Sequence, residues 1–137
     1  MELHTGRLID HVHLRTHDLK AVARFYGAIL DVLGIPYVAD ETHFQADELW
    51  IDVGGKHSHV HLAFQAKDRA MVDAAYKAAL AAGGEDNGPP GERKYHPGYY
   101  AAFFLDPDGN NIEAVFHGAA ERSAASVTIN FEMPKAG

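Results

Sequence analysis

The chain has 137 residues, 47% of them hydrophobic and 23% charged, the size and balance of one ordinary globular domain whose core needs no staples. Nineteen Asp and Glu against twelve Lys and Arg give a formal net charge of −7. That argues against a nucleic-acid binder, which needs a basic stripe, and against an anionic membrane surface. With no cysteine, disulfides, thiolate metal sites and cysteine nucleophiles are excluded, and a reducing cytoplasm is the expected compartment.

No apolar run approaches a membrane span, and Met1 to Asp10 lacks a basic-then-apolar leader pattern. Ile9–Thr16 alternates as a strand should. Asp18 then reads as the N-cap of an amphipathic helix carrying Leu19, Val22, Phe25, Tyr26, Ile29 and Leu30, stopped by Gly34 and Pro36. Residues Tyr37–Ala46 hold one or two short strands, and Leu49–Val53 and His57–Gln65 alternate again. A second helix starts near Asp68, carries Met71, Val72, Ala75, Tyr76, Ala79 and Leu80, and ends at Gly83–Gly84. Gly83–Gly98, rich in Gly, Pro and charge, reads as a long loop, and loops of that length in compact domains are often mobile lids. Tyr99–Leu105 and Asn111–His117 flank Asp106-Pro107-Asp108-Gly109-Asn110, a tight hairpin turn. After His117, Ser126–Met133 is expected to form an extra strand outside that pattern.

The chain repeats itself. A shift of 50 residues lays His11 on His61, Asp18 on Asp68, Val22 on Val72, Tyr26 on Tyr76, Ala28 on Ala78, Leu30 on Leu80 and Gly34 on Gly84. These matches predict two copies of a strand–helix–strands unit, the second starting near His57.

Histidine is the anomaly of the composition: ten residues, mostly at His11–His17 and His57–His61. Alternation sorts the strand side chains by face. His11, His13 and Arg15 oppose Val12 and Leu14; Trp50 and Asp52 oppose Leu49, Ile51 and Val53. His59, His61 and Gln65 oppose Val60, Leu62 and Phe64, and Asn111, Glu113, Val115 and His117 oppose Ile112, Ala114 and Phe116. If the polar faces converge, they supply His11, Asp52, His61 and Glu113. Two neutral imidazoles and one or two carboxylates suit a divalent ion such as Zn, Ni, Fe or Mn with open water positions. Such an ion can polarise a carbonyl or enolate oxygen or bind O₂.

The segments Ile9-Asp10-His11-Val12-His13-Leu14, Asp18-Leu19 and Phe25-Tyr26 resemble the opening of the vicinal oxygen chelate superfamily, which includes glyoxalase I, extradiol dioxygenases, fosfomycin-resistance transferases and bleomycin-binding proteins. His61-Leu62-Ala63-Phe64 resembles the start of its second module. Phe103 to Glu113, with Asp106-Pro107-Asp108-Gly109-Asn110 inside it, is similar to its signature hairpin. The resemblance implies an α+β fold: two βαβββ modules forming a curled mixed sheet around a central cavity, with helices on the outer face. It implies one domain over 1–137, with module one at about 7–55, module two at about 57–118 and an extension at 119–137. It puts the metal ligands on His11, His61 and Glu113, with a fourth on Asp52, one methylene shorter than the usual glutamate or glutamine of glyoxalase I. Glu113 or Asp52 is then the proton-moving carboxylate. Where extradiol dioxygenases carry a tyrosine, Phe103 and Phe104 stand, which counts against ring cleavage.

Substrate-binding candidates are Trp50, Arg93, Tyr99 and Phe103, with Tyr95 and Tyr100 as further aromatics and Lys94, His96 and Arg122 as further cations. His13, His57 and His59 either line the cavity or are solvated. The expected protein is a cytoplasmic homodimer, because two modules leave free sheet edges, acting on a small oxygenated molecule by isomerase or lyase chemistry. The alternatives are a metal-free drug-sequestering protein of the bleomycin-resistance kind and a fosfomycin-type thiol transferase.

Overall fold

The structure is a computed structural model that describes residues 2–5, 9–119 and 127–130. A short strand β1 (Glu2–Thr5) precedes the first unit, which runs β2 (Val12–Thr16), α1 (Leu19–Leu33), β3 (Val38–Ala39), β4 (Phe44–Ala46) and β5 (Leu49–Val53). The second runs β6 (His61–Gln65), α2 (Arg69–Ala81), β7 (Glu85–Glu92), β8 (Tyr100–Leu105) and β9 (Asn111–Phe116), and β10 (Val127–Asn130) follows. Both units are βαβββ, as the internal repeat predicts. Arg122 and most of the 119–137 extension lie outside the described residues, and no described helix is long and apolar enough to cross a membrane.

The strand orders are β2-β5-β4-β3 and β6-β9-β8-β7, with β2–β5 and β6–β9 parallel and the other pairs antiparallel. A third, two-stranded sheet joins β1 to β10. The outer four-strand sheets are not hydrogen-bonded to each other. Each βαβββ unit thus contributes its own four-strand mixed sheet to the expected α+β fold, and the units meet through their helices, which pack on each other.

Local chemistry explains the helix ends. The Asp18 carboxylate accepts from the Ala21 N–H, and Asp68 does the same for Met71, filling donors that a first turn leaves orphaned. Gly34 ends α1 in the left-handed region, φ +74°, with its N–H on the Asp31 and Leu30 carbonyls, a conformation that glycine adopts without Cβ strain. Arg24 of α1 donates to the Ala81 carbonyl at the end of α2, 2.9 Å away.

One core spans both units. Leu14, Val22, Phe25, Tyr26, Ile29, Phe44 and Ile51 from the first join Val72, Ala75, Ala79, Ala102, Phe104 and Ile112 from the second. Phe25 meets the Phe104 ring edge-on at 6.0 Å, and Tyr26 meets Phe64 at 6.4 Å. The Tyr26 hydroxyl crosses the junction and donates to Asp106 Oδ2 at 2.6 Å. Asp106 also accepts from the Asp108 and Asn110 amides and the Asn110 side chain, while Asn110 Oδ1 accepts from the Val60 N–H. The expected hairpin turn is therefore also the seam between α1, the β8–β9 turn and the start of β6.

One expectation fails. Gly83–Gly98 is not a free loop: Glu85–Glu92 is a strand along β8, with register shifts between Asp86 and Gly88 and between Gly88 and Gly91. Gly88-Pro89-Pro90-Gly91 looks like a breaker, but β7 is an edge strand, and an edge tolerates prolines at bulges.

Candidate functional site

Each four-strand sheet buries one face against the helices and leaves the other open. On the first sheet the open face carries His13, Arg15, Gln45, Trp50 and Asp52. Parallel pairing of β2 with β5 sets His13 opposite Trp50 and Arg15 opposite Asp52. From there His13 Nε2 reaches Asp52 Oδ1 at 2.8 Å, Arg15 Nη1 lies 3.4 Å from the same oxygen, and the Trp50 indole N–H donates to Oδ2 at 3.2 Å. The His13 hydrogen bond holds the Asp52 carboxyl below its ordinary range; desolvation opposes this, and Trp50 and Arg15 add to it. His43 stacks flat on Trp50, centroids 4.1 Å apart.

A cavity of about 490 Å³ opens over this face, lined by Asp10, His11, His13, Gln45, Asp47, Glu48, Leu49, Trp50 and Asp52. His11 thus lines the same cavity as Asp52. Yet it precedes β2, its side chain is 69% exposed, and its Nδ1 lies 2.8 Å from Asp10 Oδ1. The imidazole on Asp52 is that of His13.

The open face of the second sheet carries His61, Phe103 and Glu113, with Tyr99 just before β8. Ala63 and Phe103 flank Glu113 in register. His61 Nε2 lies 2.8 Å from Glu113 Oε1, and the Tyr99 hydroxyl donates to Oε2. Glu113 is only 2% exposed, because His61, Phe103 and Tyr99 cover it. Tyr99 is pushed up to about 12, first by burial and then by the Glu113 carboxylate that accepts its proton. His61 is half exposed and lies 6.0 Å from the Phe103 ring. Arg93 stands over Phe103. Beyond Tyr99, His96 Nε2 and His117 Nδ1 are 2.9 Å apart, and both rings meet the Tyr99 ring edge-on.

The structure therefore gathers the expected residues into two groups: Asp52 with Trp50 and His13, beside His11, and Glu113 with His61, Tyr99 and Phe103. Among the described residues no three His, Asp or Glu side chains gather closely enough to hold a metal ion. The donor chemistry still fits a divalent ion, because each face brings an imidazole nitrogen beside a carboxylate oxygen and no thiolate competes. Tyr100 turns away from this face and donates to Asp73 of α2 at 2.6 Å, and Tyr95 is largely exposed beside Tyr99.

Sequence reasoning missed the Tyr99–Glu113 bond and the choice of His13 for Asp52. A signal existed for the first, since Tyr99, Ala101 and Phe103 share a face by alternation.

Comparison with known proteins bears on the same stretch. Residues 8–114 match the family model described as glyoxalase/bleomycin resistance protein/dioxygenase superfamily. A crystal structure of a glyoxalase/bleomycin resistance protein from Albidiferax ferrireducens T118 is 32% identical, with a TM-score of 0.68 over 79% of this chain and 97% of that one. A family enzyme from Burkholderia phytofirmans PsJN is 22% identical over 77% and 95% of the two chains, TM-score 0.62. Lactoylglutathione lyase from Agrobacterium tumefaciens is 21% identical over 80% and 93%, TM-score 0.59. No curated protein matches.

Proposed function

Because the chain belongs to the glyoxalase/bleomycin resistance protein/dioxygenase superfamily, we propose that it is a small metal-dependent enzyme of the glyoxalase type, with isomerase or lyase chemistry on an oxygenated small molecule. The observation that carries this reading is Glu113, a carboxylate 2% exposed on an open sheet face, held between His61 and the Tyr99 hydroxyl. Burying a carboxylate is costly, and no guanidinium or ammonium pairs with this one among the described residues. Nothing in the packing of the core asks for an acid there, whereas proton transfer does.

The residues that would hold the ion are His61 and Glu113 from the second sheet and His11 and Asp52 from the first. When bound, a Zn, Ni, Fe or Mn ion supplies Lewis-acid polarisation of a carbonyl or enolate oxygen. The side chains do the rest. Glu113, or Asp52 from the other sheet, takes a proton from the carbon beside the carbonyl and returns it to a neighbouring position. Tyr99 on Oε2 and His61 on Oε1 fix the orientation of the carboxylate, and Phe103 and Trp50 wall the substrate.

The two imidazole–carboxylate pairs lie on sheets whose open faces belong to different units, so the reading includes a homodimer in which the first sheet of one protomer faces the second sheet of its partner. A chain without cysteine suits the cytoplasm.

Metal content after purification without chelators or a polyhistidine tag tests the reading. About one ion per chain is expected, falling at least tenfold in His61→Ala and Glu113→Gln and less in Asp52→Asn. Uptake unchanged in both His61→Ala and Glu113→Gln overturns the site. Light scattering should give twice the 15.0 kDa chain mass, and the monomer mass at micromolar concentration overturns the dimer.

One observation favours a second reading. The first-sheet cavity combines Trp50 with Asp10, Asp47, Glu48 and Asp52, a lining that suits metal-free sequestration of a cationic, aromatic drug. Absence of metal together with tight binding of such a ligand would establish it. A fosfomycin-type thiol transferase would need cations such as Arg93 and Lys94 at the substrate.

A further inference from the structure

The described arginines are used in different ways. Arg15 and Arg69 pair with carboxylates and Arg24 caps a helix. Arg93, in a chain of net charge −7, has no acidic partner among the described residues. Its Nη2 donates to the Pro89 carbonyl at 2.6 Å and its Nη1 to the Glu92 carbonyl at 3.5 Å, while the guanidinium carbon lies 5.4 Å over the Phe103 ring.

The bulge in β7 is shaped around this group. A Cβ at Gly91 would stand 3.0 Å from Arg93 Nη1, and one at Gly88 would stand 3.4 Å from Nη2 and 3.1 Å from Phe103. Gly88 also has φ +149°, where side chains are strained. The stretch from Gly88 to Glu92 thus forms a socket with the Pro89 and Glu92 carbonyls as two walls and the Phe103 ring as floor. A guanidinium has five N–H donors, and the two carbonyls take two of them. Backbone carbonyls orient the group without neutralising it, so its full charge stays available beside Phe103, which pairs in register with Glu113. That charge is felt at Tyr99, the Glu113 partner, whose ionisation it favours.

We propose that Arg93 is a preset oxyanion receptor at the rim of the second-sheet face, and that the substrate carries a carboxylate or phosphoryl group which Arg93 grips while the rest of the molecule lies over Phe103 toward Glu113. This rests on the enzymatic reading above and adds the chemical class of the substrate. A guanidinium fixed at two of its N–H groups offers the others as a planar fork, the geometry that carboxylate and phosphate oxygens accept in pairs. Holding the fork in advance lowers the ordering cost of binding.

The test titrates the whole chain with inorganic phosphate and, separately, with acetate in phosphate-free buffer, following the backbone amide resonance of Phe103, which lies under the guanidinium and is present in every variant. Saturable shifts are expected, and whichever probe binds more tightly identifies the oxyanion. Arg93→Gln should weaken binding at least tenfold. Arg93→Lys should recover part of the loss, because charge returns without the fork. Gly91→Ala keeps the charge but pushes Nη1 out of its socket, and should weaken binding about threefold. Phosphate and acetate affinities unchanged in Arg93→Gln, or no saturable shift with either probe, overturn the proposal. Metal content of Arg93→Gln, measured alongside, should equal that of the unsubstituted chain. Arg93-dependent anion binding in a chain that takes up no metal would sink the metal reading alone, and metal uptake without anion binding would sink the receptor alone.

Discussion

Replacing Tyr26 by phenylalanine removes one oxygen from the middle of the protein. That oxygen donates to Asp106 Oδ2 at 2.6 Å in a fully buried setting, and it is the hydrogen bond by which α1 holds the β8–β9 turn. A hydrogen bond to a charged group contributes about 1.5–3 kcal/mol. Asp106 Oδ2 keeps the Asn110 side-chain amide, so no acceptor is orphaned, and the loss should fall at the lower end, about 1.5–2 kcal/mol. At about 2.1 cal/mol/K of unfolding entropy per residue, this lowers Tm by about 5–7 °C. Asp106→Ala strips the acceptor from four donors at once and should cost at least about 3 kcal/mol. Urea denaturation of both single variants and the double variant gives the coupling, expected between about 0.5 and 3 kcal/mol. The pH dependence supplies an independent readout. Burial first, then the Asp106 carboxylate, raises the Tyr26 hydroxyl well above 10. The folded state therefore holds that proton more tightly than the unfolded chain, whose tyrosines ionise near 10. The resulting stability is complete below about pH 10 and is lost as pH climbs toward the folded value. Tyr26→Phe should flatten that alkaline decline. A variant within about 0.5 kcal/mol of the parent, with an unchanged alkaline slope, would refute the account.

Three further outcomes are expected. In an alkaline absorbance titration, one tyrosine should ionise near 12. Glu113→Gln should bring it down, because the amide removes the negative charge that retains the Tyr99 proton; a titration curve identical in that variant would exclude the assignment. Asp18→Ala and Asp68→Ala should each destabilise by about 0.5–2 kcal/mol, read as a shift in urea midpoint, since each carboxylate fills one first-turn amide. Gly34→Ala should cost about 1–2 kcal/mol through backbone strain alone, because φ is +74° and a Cβ there meets nothing within 4 Å; a melting point equal to the parent's would count against the strain.

Much of the architecture is legible in the sequence because its signals are local. Asp18 and Asp68 cap because their side chains reach an amide three residues on, and the Asp106–Asn110 turn is written in Pro107 and Gly109. The faces of β5, β6 and β9 follow from alternation, which also placed Asp52 and Glu113 on open surfaces. What stayed hidden depends on partners distant in sequence. The parallel register of β2 on β5 sets His13 rather than His11 on Asp52, and no spacing within either strand encodes that offset. Glu113 reads as a half-exposed strand acid, and its burial comes from Tyr99, Phe103 and His61 closing over it. β7 escaped because Gly88-Pro89-Pro90-Gly91 opposes strand propensity, and only the finished β8 edge shows why it is tolerated.

The Gly-Pro-Pro-Gly bulge also shapes how the protein can stick to itself. A strand at a sheet border is an open template for a foreign strand. Pro89 and Pro90 leave two consecutive positions of β7 without an amide donor, and the register shifts between Asp86 and Gly88 and between Gly88 and Gly91 spoil its regular spacing. The β2 border is interrupted in another way: Ser58 takes both backbone groups of Arg15, accepting from its amide through Oγ and donating its own amide to the carbonyl. Strand-by-strand growth into fibrils is thus discouraged along two margins of the molecule. Replacing Pro89 and Pro90 with β-formers such as valine would return amide donors and strand propensity to β7 and should make the chain aggregate sooner on heating.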